Sequence, residues 1–503
     1  MSSTVETSKK IVKGALIVFI SMMVGRLLSY IYVTLLAKTG SFNYGLLSLG
    51  FVISSILIVI SMMGLNVGVV RYVAYYKGKG DEARIKGALL SSIKIALPIS
   101  ILLAFILFLF SEFISVNLFH NPDLTVILKI LSFTIPVVVL INLILETLNG
   151  LQKIFYTTLS REVIDKALKI IFAFFIIYIG YSVVEISWSY LLATVLTFLA
   201  TLYFLNKYGF NLFDKKTKAI YFTKRLFRFS YPLLFVGIIT LLVKWTDVLM
   251  VGFFRTTSEV GVYNVVLSTA NLLVIIPTAL MGLFTPIIME LYSKGDKKEI
   301  EKISKRVSKW IFYINFPIFL ALMLLSRELL KIVFGNEYVI GYISLIILLI
   351  AYVLHSLSHI PTGTLLMIKK TNTIFVVGLI SVIINIALNY LLIPVYGING
   401  AAIATSTSLI ANFIFLTLWN YKLNKFQTLS LNYFKSILAG AILGVLFYFL
   451  IRPLFVINSI YQMAFFSFVL LLVYLLLLYL FGSWDQEDRI IMKAFLKRLK
   501  SLK

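Results

Sequence analysis

The sequence contains no cysteine, three histidines and only 21 acidic residues among 503. Without cysteine the chain can form neither a disulfide nor a thiolate metal site, and it has no thiol nucleophile. Charged residues make up 13% of the chain, whereas apolar residues make up 60% and the mean hydropathy is +0.99. Because a soluble protein cannot bury so much apolar surface, the composition predicts an all-α polytopic membrane protein.

The signatures of common active sites are also missing. There is no glycine-rich loop of the ATP-binding type, and the longest predicted connection, residues 207–229, is too short for a soluble catalytic domain. His355 and His359 have the spacing of metal ligands on a helix, but no third ligand lies near them in the sequence. We therefore expect a transporter rather than an enzyme, with no cofactor and no metal site.

Apolar runs long enough to cross a bilayer, which takes about 20 helical residues, recur along the whole chain. They predict fourteen transmembrane helices, at residues 14–37, 45–70, 88–111, 124–148, 166–182, 186–206, 230–253, 261–290, 310–334, 341–367, 372–393, 398–420, 434–451 and 460–481.

The formal net charge is +25, because 46 basic residues face 21 acidic ones. In a soluble protein this excess would suggest nucleic acid, but here the cations lie in short loops between apolar runs. Alternate connections hold 38 and 5 lysines and arginines. Since cytoplasmic loops are the basic ones, we expect a multi-pass protein of the plasma membrane with both termini cytoplasmic. The cations then face anionic membrane lipids, and no nucleic acid is bound.

Two basic loops, KGDEARIK (79–86) and KGDKKEIEK (294–302), reveal an internal repeat. A shift of about 216 residues also aligns Gly45 with Gly261. Each copy spans six predicted helices, so both enter the membrane in the same orientation, as a parallel repeat does. The predicted domains are an N-lobe (1–206), a cytoplasmic linker (207–229), a C-lobe (230–420), helices 13 and 14 (421–481) and a basic tail (482–503).

Three ionisable residues lie well inside predicted helices: Arg26 in helix 1, and Lys244 and Asp247 in helix 7. Inserting each charge at the centre of a transmembrane helix costs about 2.5–3.5 kcal/mol, so each of these residues requires a structural or functional explanation. The repeat brings Arg26 within one turn of Lys244, so both lobes present a cation at similar depth. We predict that Arg26, Lys244 and Asp247 bind an anionic headgroup. Alternatively Asp247, three residues from Lys244, only neutralises it.

A second charged cluster lies toward the cytoplasmic side. We predict a vestibule for the headgroup at Arg71, Glu146, Arg161 and Asp165, although these charges could equally form an ordinary ion-pair network at the headgroup level.

The asparagines within the spans are a weaker polar signal. Asn271, Asn385 and Asn389 could line a polar cavity or hold helices together. The tail 488–503 has the pattern of a basic amphipathic helix on the membrane surface.

The segment LLIPVYGINGAAIATSTSLIANFIF (391–415) and the two repeat starts, GRLLSYIYVTLLAKTGSFNYGLLSL and FSYPLLFVGIITLLVKWTDVLMVGFFRTTSEVGVYNVV, resemble one known family. It comprises the polysaccharide-biosynthesis flippases of the multidrug/oligosaccharidyl-lipid/polysaccharide exporter superfamily. The resemblance implies two six-helix lobes in a V-shaped, MATE-like arrangement and alternating access. It also implies that Arg26 lines the cavity, and that helices 13 and 14 help to form a groove for a lipid tail.

Two functional hypotheses follow. The first is a flippase that moves a polyprenyl-(pyro)phosphate-linked oligosaccharide from the cytoplasmic to the outer leaflet, as a monomer. Its coupling ion, Na⁺ or H⁺, stays open. The alternative is an ion-coupled exporter of organic cations, which needs uncompensated carboxylates within the membrane. Asp247, beside Lys244, is the only carboxylate near a helix centre, so the sequence favours the flippase over this exporter and over a purely structural membrane protein.

Overall fold

The computed structural model describes residues 21–180, 182–212, 214, 217–429 and 433–483. Its regular structure is helical, and these residues contain no β-strand. They divide into two compact units. Among the described residues, the first comprises those up to Thr269 together with Val382–Thr405, and the second comprises Ala270–Ser381 and those from Ser406 onward. The predicted amphipathic tail 488–503 lies outside the described residues.

The first unit contains the first eleven helices and the central part of a long later one. Within it α10 packs along α2, α3 and α4, and α8 packs on α9. The helices are α1 (Ser21–Ala37), α2 (Ser41–Met62), α3 (Leu65–Gly78), α4 (Glu82–Phe113), α5 (Leu124–Ser132), α6 (Thr134–Gly150), α7 (Ile154–Thr158), α8 (Asp165–Ile179), α9 (Val183–Phe204), α10 (Thr223–Phe254) and α11 (Thr257–Ala270), with π-helical turns at Ile114–Leu118, Leu159–Ile164 and Leu205–Gly209.

The second unit is built around α13, which packs against α12, α15 and α18. Gly440 lets α18 approach this helix, because a methyl group there would lie 2.4 Å from a ring carbon of Phe316. The helices are α12 (Ile275–Ser293), α13 (Lys297–Leu324), α14 (Ser326–Leu329), α15 (Tyr342–His355), α16 (His359–Met367), α17 (Thr371–Asn424), α18 (Tyr433–Leu446), α19 (Arg452–Leu454) and α20 (Ile460–Leu480), with 3₁₀ turns at Asn271–Val274, Asn336–Gly341 and Ser356–Ser358 and π-helical turns at Leu330–Phe334 and Phe447–Ile451.

The described residues include ten helices long and apolar enough to cross a membrane, or eleven if the bent pair α5 and α6 forms one span. Three features account for the difference from the fourteen predicted transmembrane helices. That number stays a prediction. The first predicted helix begins before the described residues, α8 is only 15 residues long, and the 54-residue α17 contains two predicted spans that turn at Gly397 (φ 55°).

The predicted second span, 45–70, is wrong as a single helix. The chain breaks between α2 and α3, where Met63 (φ 46°) and Gly64 (φ 71°) adopt left-handed conformations. The break allows close packing on α10, because a methyl group on Gly64 would lie 2.2 Å from the carbonyl oxygen of Ser230. Hydropathy predicts the apolar run, but it cannot predict a turn within that run.

The two basic loops that revealed the repeat have the same backbone geometry. Gly80 (φ 67°) and Gly295 (φ 74°) each adopt a left-handed conformation that suits glycine. Asp81 then caps α4 by accepting a bond from the Arg84 amide at 2.9 Å, and Asp296 caps α13 by accepting one from the Glu299 amide at 3.0 Å.

Other aligned positions also share local structure. A π-helical turn ends the span at Ile114–Leu118 and again at Leu330–Phe334. Gln152 (φ 59°) and Lys369 (φ 58°) adopt the same left-handed turn. The predicted lobe boundaries describe this sequence duplication. The two compact units divide the chain differently, because α10 and nearly all of α11 pack in the first unit.

Helices α2 and α11, which the repeat aligns, meet through a pair of equivalent glycines in the first unit. A methyl group on Gly45 would lie 1.9 Å from the Thr257 carbonyl oxygen. A methyl group on Gly261 would lie 2.0 Å from the carbonyl oxygen of Ser41. Because Ser41 and Thr257 are also related by 216 residues, the contact is symmetric, and each backbone requires the absence of a side chain on the other.

This contact predicts that Gly45→Ala and Gly261→Ala each destabilise the folded protein by about 1–3 kcal/mol, since the added methyl forces two backbones apart. The matched control is Gly378→Ala in α17, where nothing lies within 4 Å of the added methyl. The control should be neutral or stabilising by up to about 1 kcal/mol through helix propensity. Thermal unfolding in lipid nanodiscs checks both, and three equal melting temperatures would contradict the proposed contact.

Candidate functional site

Asp247 on α10 is buried in a network of neutral hydrogen-bond donors. Its Oδ1 accepts bonds from Asn385 Nδ2 at 2.9 Å and Asn389 Nδ2 at 2.7 Å. Its Oδ2 accepts bonds from the hydroxyls of Tyr263, at 3.1 Å, and Thr405. Only 5% of Asp247 is exposed. Four donors therefore offset the cost of removing a carboxylate from water.

Helical spacing explains how these side chains converge within the first unit. Asn385 and Asn389 are four residues apart and so lie on one face of α17. Gly397 reverses the chain and returns Thr405 to the same carboxylate. Asn389 Nδ2 also donates to Asn385 Oδ1 at 3.1 Å, whereas the buried Asn389 Oδ1 has no partner among the described groups.

The predicted ion pair between Lys244 and Asp247 is not present. Spacing of three residues makes such a pair feasible, but the carboxylate is already satisfied by amides and hydroxyls from other helices. The Lys244 ammonium instead lies over the ring of Trp245, 4.6 Å from its centroid, and the side chain is exposed. Asp247 therefore does not serve as the counter-ion of Lys244.

Lys244 belongs instead to a cluster of three cations, which we call the cation cluster: Arg26 on α1, Lys166 on α8 and Lys244 on α10. Lys244 interacts electrostatically with both other cations, and Lys166 interacts with Arg26. The side chains of Arg26 and Lys244 are exposed, and that of Lys166 is half-buried. The structure thus brings together the two predicted cations and adds a third.

The close approach of α1 and the chain entering α8 places Arg26. A methyl group on Gly25 would lie 2.7 Å from Glu162 Cβ, so this contact requires a residue without a side chain. Glu162 in turn stands one helical turn before Lys166, with which it interacts electrostatically.

The predicted vestibule residues form ion pairs or stack on aromatic rings. Arg161 Nη2 bonds to Glu146 Oε1 at 2.9 Å, and Lys169 Nζ lies 2.9 Å from Asp165 and 4.3 Å from the ring centroid of Tyr190. The Arg71 guanidinium lies over the ring of Phe229, 4.3 Å from its centroid. These contacts match the alternative of an ordinary ion-pair network. A role of these residues in cargo binding stays a prediction.

The remaining predicted residues lie elsewhere. Asn271 begins a 3₁₀ turn in the second unit and is not among the four donors to Asp247. The rings of His355 and His359 lie with centroids 6.2 Å apart. The described residues contain no group of three histidines or carboxylates that could hold a metal. The oxygen-rich set around Asp247 suits a hard monovalent cation better than a transition metal.

Sequence reasoning missed Lys166, Tyr263 and Thr405 as members of these groups. Lys166 was visible as a charge at the start of a predicted span. Thr405 lies in the segment that carried the family resemblance, but its contact with Asp247 depends on the turn at Gly397. Tyr263 comes from another helix, and no spacing rule joins it to Asp247.

Comparison with known proteins supports a single relationship. The profile of a family described as "Polysaccharide biosynthesis protein" matches residues 11–292, more than half of the chain. A second profile, "MatE", matches residues 232–391.

Several curated relatives are similar in sequence, including the following two. The probable low-salt glycan biosynthesis flippase Agl15 of Haloferax volcanii is 29% identical over 46% of this chain and 49% of its own length. The lipid II flippase MurJ of Bacillus subtilis is 25% identical over 81% of this chain and 82% of its own. A solved structure of lipid II flippase MurJ, in an inward closed conformation, superposes with a TM-score of 0.73 at 19% identity, covering 94% of this chain and all of that one. The last likeness concerns the fold alone.

Proposed function

Because the chain belongs to the polysaccharide biosynthesis protein family, we propose that it is a flippase for a lipid-linked oligosaccharide. In this proposal it moves a polyprenyl-(pyro)phosphate-linked glycan from the cytoplasmic to the outer leaflet for the assembly of a cell-surface glycan. The observation that carries the proposal is the cation cluster, whose charges are not neutralised by the nearby buried carboxylate Asp247.

The chemistry of the cluster suits a phosphate. Charges inside a membrane are costly, and three like charges that repel one another are costlier still unless an anion joins them. No described carboxylate forms an ion pair with Arg26, Lys166 or Lys244. A lipid-linked glycan supplies the missing anion in its phosphate linkage.

The alternative, an exporter of organic cations, fits the site less well. Such a protein requires a carboxylate that is available to a cationic drug. Asp247 is 5% exposed and accepts four hydrogen bonds, so a drug-sized cation would first have to displace its donors. The exposed groups Arg26 and Lys244 would repel the same drug.

The remaining architecture is part of the proposal. We assign fourteen spans, two six-helix lobes that alternate in access, and helices 13 and 14 as a support for the lipid tail. Both termini are cytoplasmic in a monomer of the plasma membrane. An inside-negative potential then favours export, since moving one negative charge outward across 100 mV gains about 2.3 kcal/mol.

A coupling cation would bind at Asp247. The carboxylate accepts hydrogen bonds from four neutral donors, and the buried Asn389 Oδ1, which has no partner among the described groups, belongs to one of the two donating amides. In this proposal the two amides turn their oxygens toward the carboxylate when Na⁺ binds, which gives the ion a set of hard oxygen ligands. This assignment places cargo and coupling ion on different residues of the first unit.

The proposal predicts that Arg26→Gln and Lys244→Gln each slow the transbilayer movement of a fluorescent polyprenyl-diphosphate oligosaccharide in proteoliposomes by about tenfold or more, since each removes a charge-assisted contact with phosphate. Uptake of a cationic dye is measured in parallel. Arg84→Gln is the matched control, because Arg84 pairs with Asp81 at the partly exposed start of α4.

Glycolipid movement that is unaffected by both substitutions would contradict the proposed site. Dye uptake without glycolipid movement would favour the exporter. Equal melting temperatures of the variants and the wild type are required, so that a loss of folding is not mistaken for a loss of transport.

The coupling assignment predicts that replacing Na⁺ by K⁺ lowers both the flipping rate and the melting temperature of the wild type, because Na⁺ binds and stabilises the folded state. Asp247→Asn, which keeps the shape of the side chain and removes its charge, should abolish both differences. Asp296→Asn, a helix-capping carboxylate far along the chain, should retain them. Identical behaviour of wild type and Asp247→Asn in the two salts would contradict the assignment.

A further inference from the structure

Lys166 is the member of the cation cluster that the proposed function has not yet required. It stands at the second position of α8, half-buried, and its charge interacts with those of Glu162, Asp165, Lys169 and Arg26. Its interaction with Lys244 completes a triangle of cations contributed by α1, α8 and α10. Any anion that Arg26 and Lys244 bind together is therefore also within the electrostatic range of Lys166.

The carboxylates around Lys166 do not cancel this triangle. Asp165 forms an ion pair with Lys169, whose ammonium also lies over the ring of Tyr190. The charge of Asp165 is therefore already neutralised. Glu146 is likewise committed to Arg161. Of the two carboxylates that interact with Lys166, Glu162 is the one that forms no ion pair with a described residue. Three cations against one uncommitted carboxylate leave an excess of two positive charges.

This excess distinguishes two classes of lipid-linked glycan. A sugar joined to a lipid through one phosphate is a phosphodiester with one negative charge. A sugar joined through a diphosphate carries two. The second matches the net charge of the site, whereas the first would leave one cation without a counter-charge inside the membrane.

Resting on the flippase function proposed above, we infer that Lys166 determines cargo specificity by binding the second phosphate of a diphosphate-linked glycolipid, while Arg26 and Lys244 bind the first. Lys166 thus recognises the phosphate linkage of the cargo and not its sugar. A lysine suits this task, since its compact ammonium approaches one phosphate as a point charge.

The test compares two cargoes with the same glycan, one linked through a diphosphate and one through a monophosphate, in the same proteoliposomes. We expect the wild type to move the diphosphate-linked cargo faster. Lys166→Gln should lower the ratio of the two rates by about tenfold, as the loss of one charge-assisted contact would. Lys166→Arg should retain most of the ratio, and Lys305→Gln, which removes a partly exposed cation paired with Glu301, should leave it unchanged.

The outcomes separate this inference from the function on which it depends. If the wild type moves neither cargo, the flippase function itself is contradicted, and the inference with it. If the wild type moves both and Lys166→Gln leaves the ratio unchanged, or lowers both rates in proportion, only the role of Lys166 is overturned. The stabilisation of detergent-purified protein by inorganic diphosphate relative to phosphate gives a second readout, which Lys166→Gln should reduce for diphosphate.

Discussion

The organisation of the first unit depends on the cost of holding a charge inside a membrane. The chain meets this cost in two different ways. Around Asp247 it supplies four neutral donors, so the carboxylate is satisfied without a basic side chain. Around Arg26, Lys166 and Lys244 no described carboxylate forms an ion pair with these cations, and we propose that an anionic cargo neutralises them. In our proposal, this separation makes the site selective for anionic cargo.

Both charged groups depend on contacts that glycine makes possible. Gly25 allows α1 to approach Glu162, and so places Arg26 beside Lys166. Gly397 reverses α17, and so returns Thr405 to Asp247. The symmetric contact of Gly45 and Gly261 joins α2 to α11, the helix that carries Tyr263. In an apolar solvent, helices gain little from burying further apolar surface, so close backbone packing has a correspondingly large role.

The sequence was most informative where one residue type or one periodicity decides the outcome. The apolar runs and the repeat of the two basic loops could be read directly, as could the presence of Arg26 and Lys244 within spans. It was least informative about partners drawn from several helices. The spacing of Lys244 and Asp247 allowed a pair but could not reveal that Asn385, Asn389 and Tyr263 compete for the same carboxylate. Hydropathy likewise could not show the break at Gly64.

The central claim, that cargo phosphate binds the cation cluster and not the surroundings of Asp247, is tested most directly by a cryo-electron microscopy map of the protein in nanodiscs with a polyprenyl-diphosphate oligosaccharide. The account predicts phosphate density in contact with Arg26 and Lys244, and an unbroken hydrogen-bond network at Asp247. Phosphate density at Arg71 or Arg161, with no cargo at Arg26 and Lys244, would contradict it.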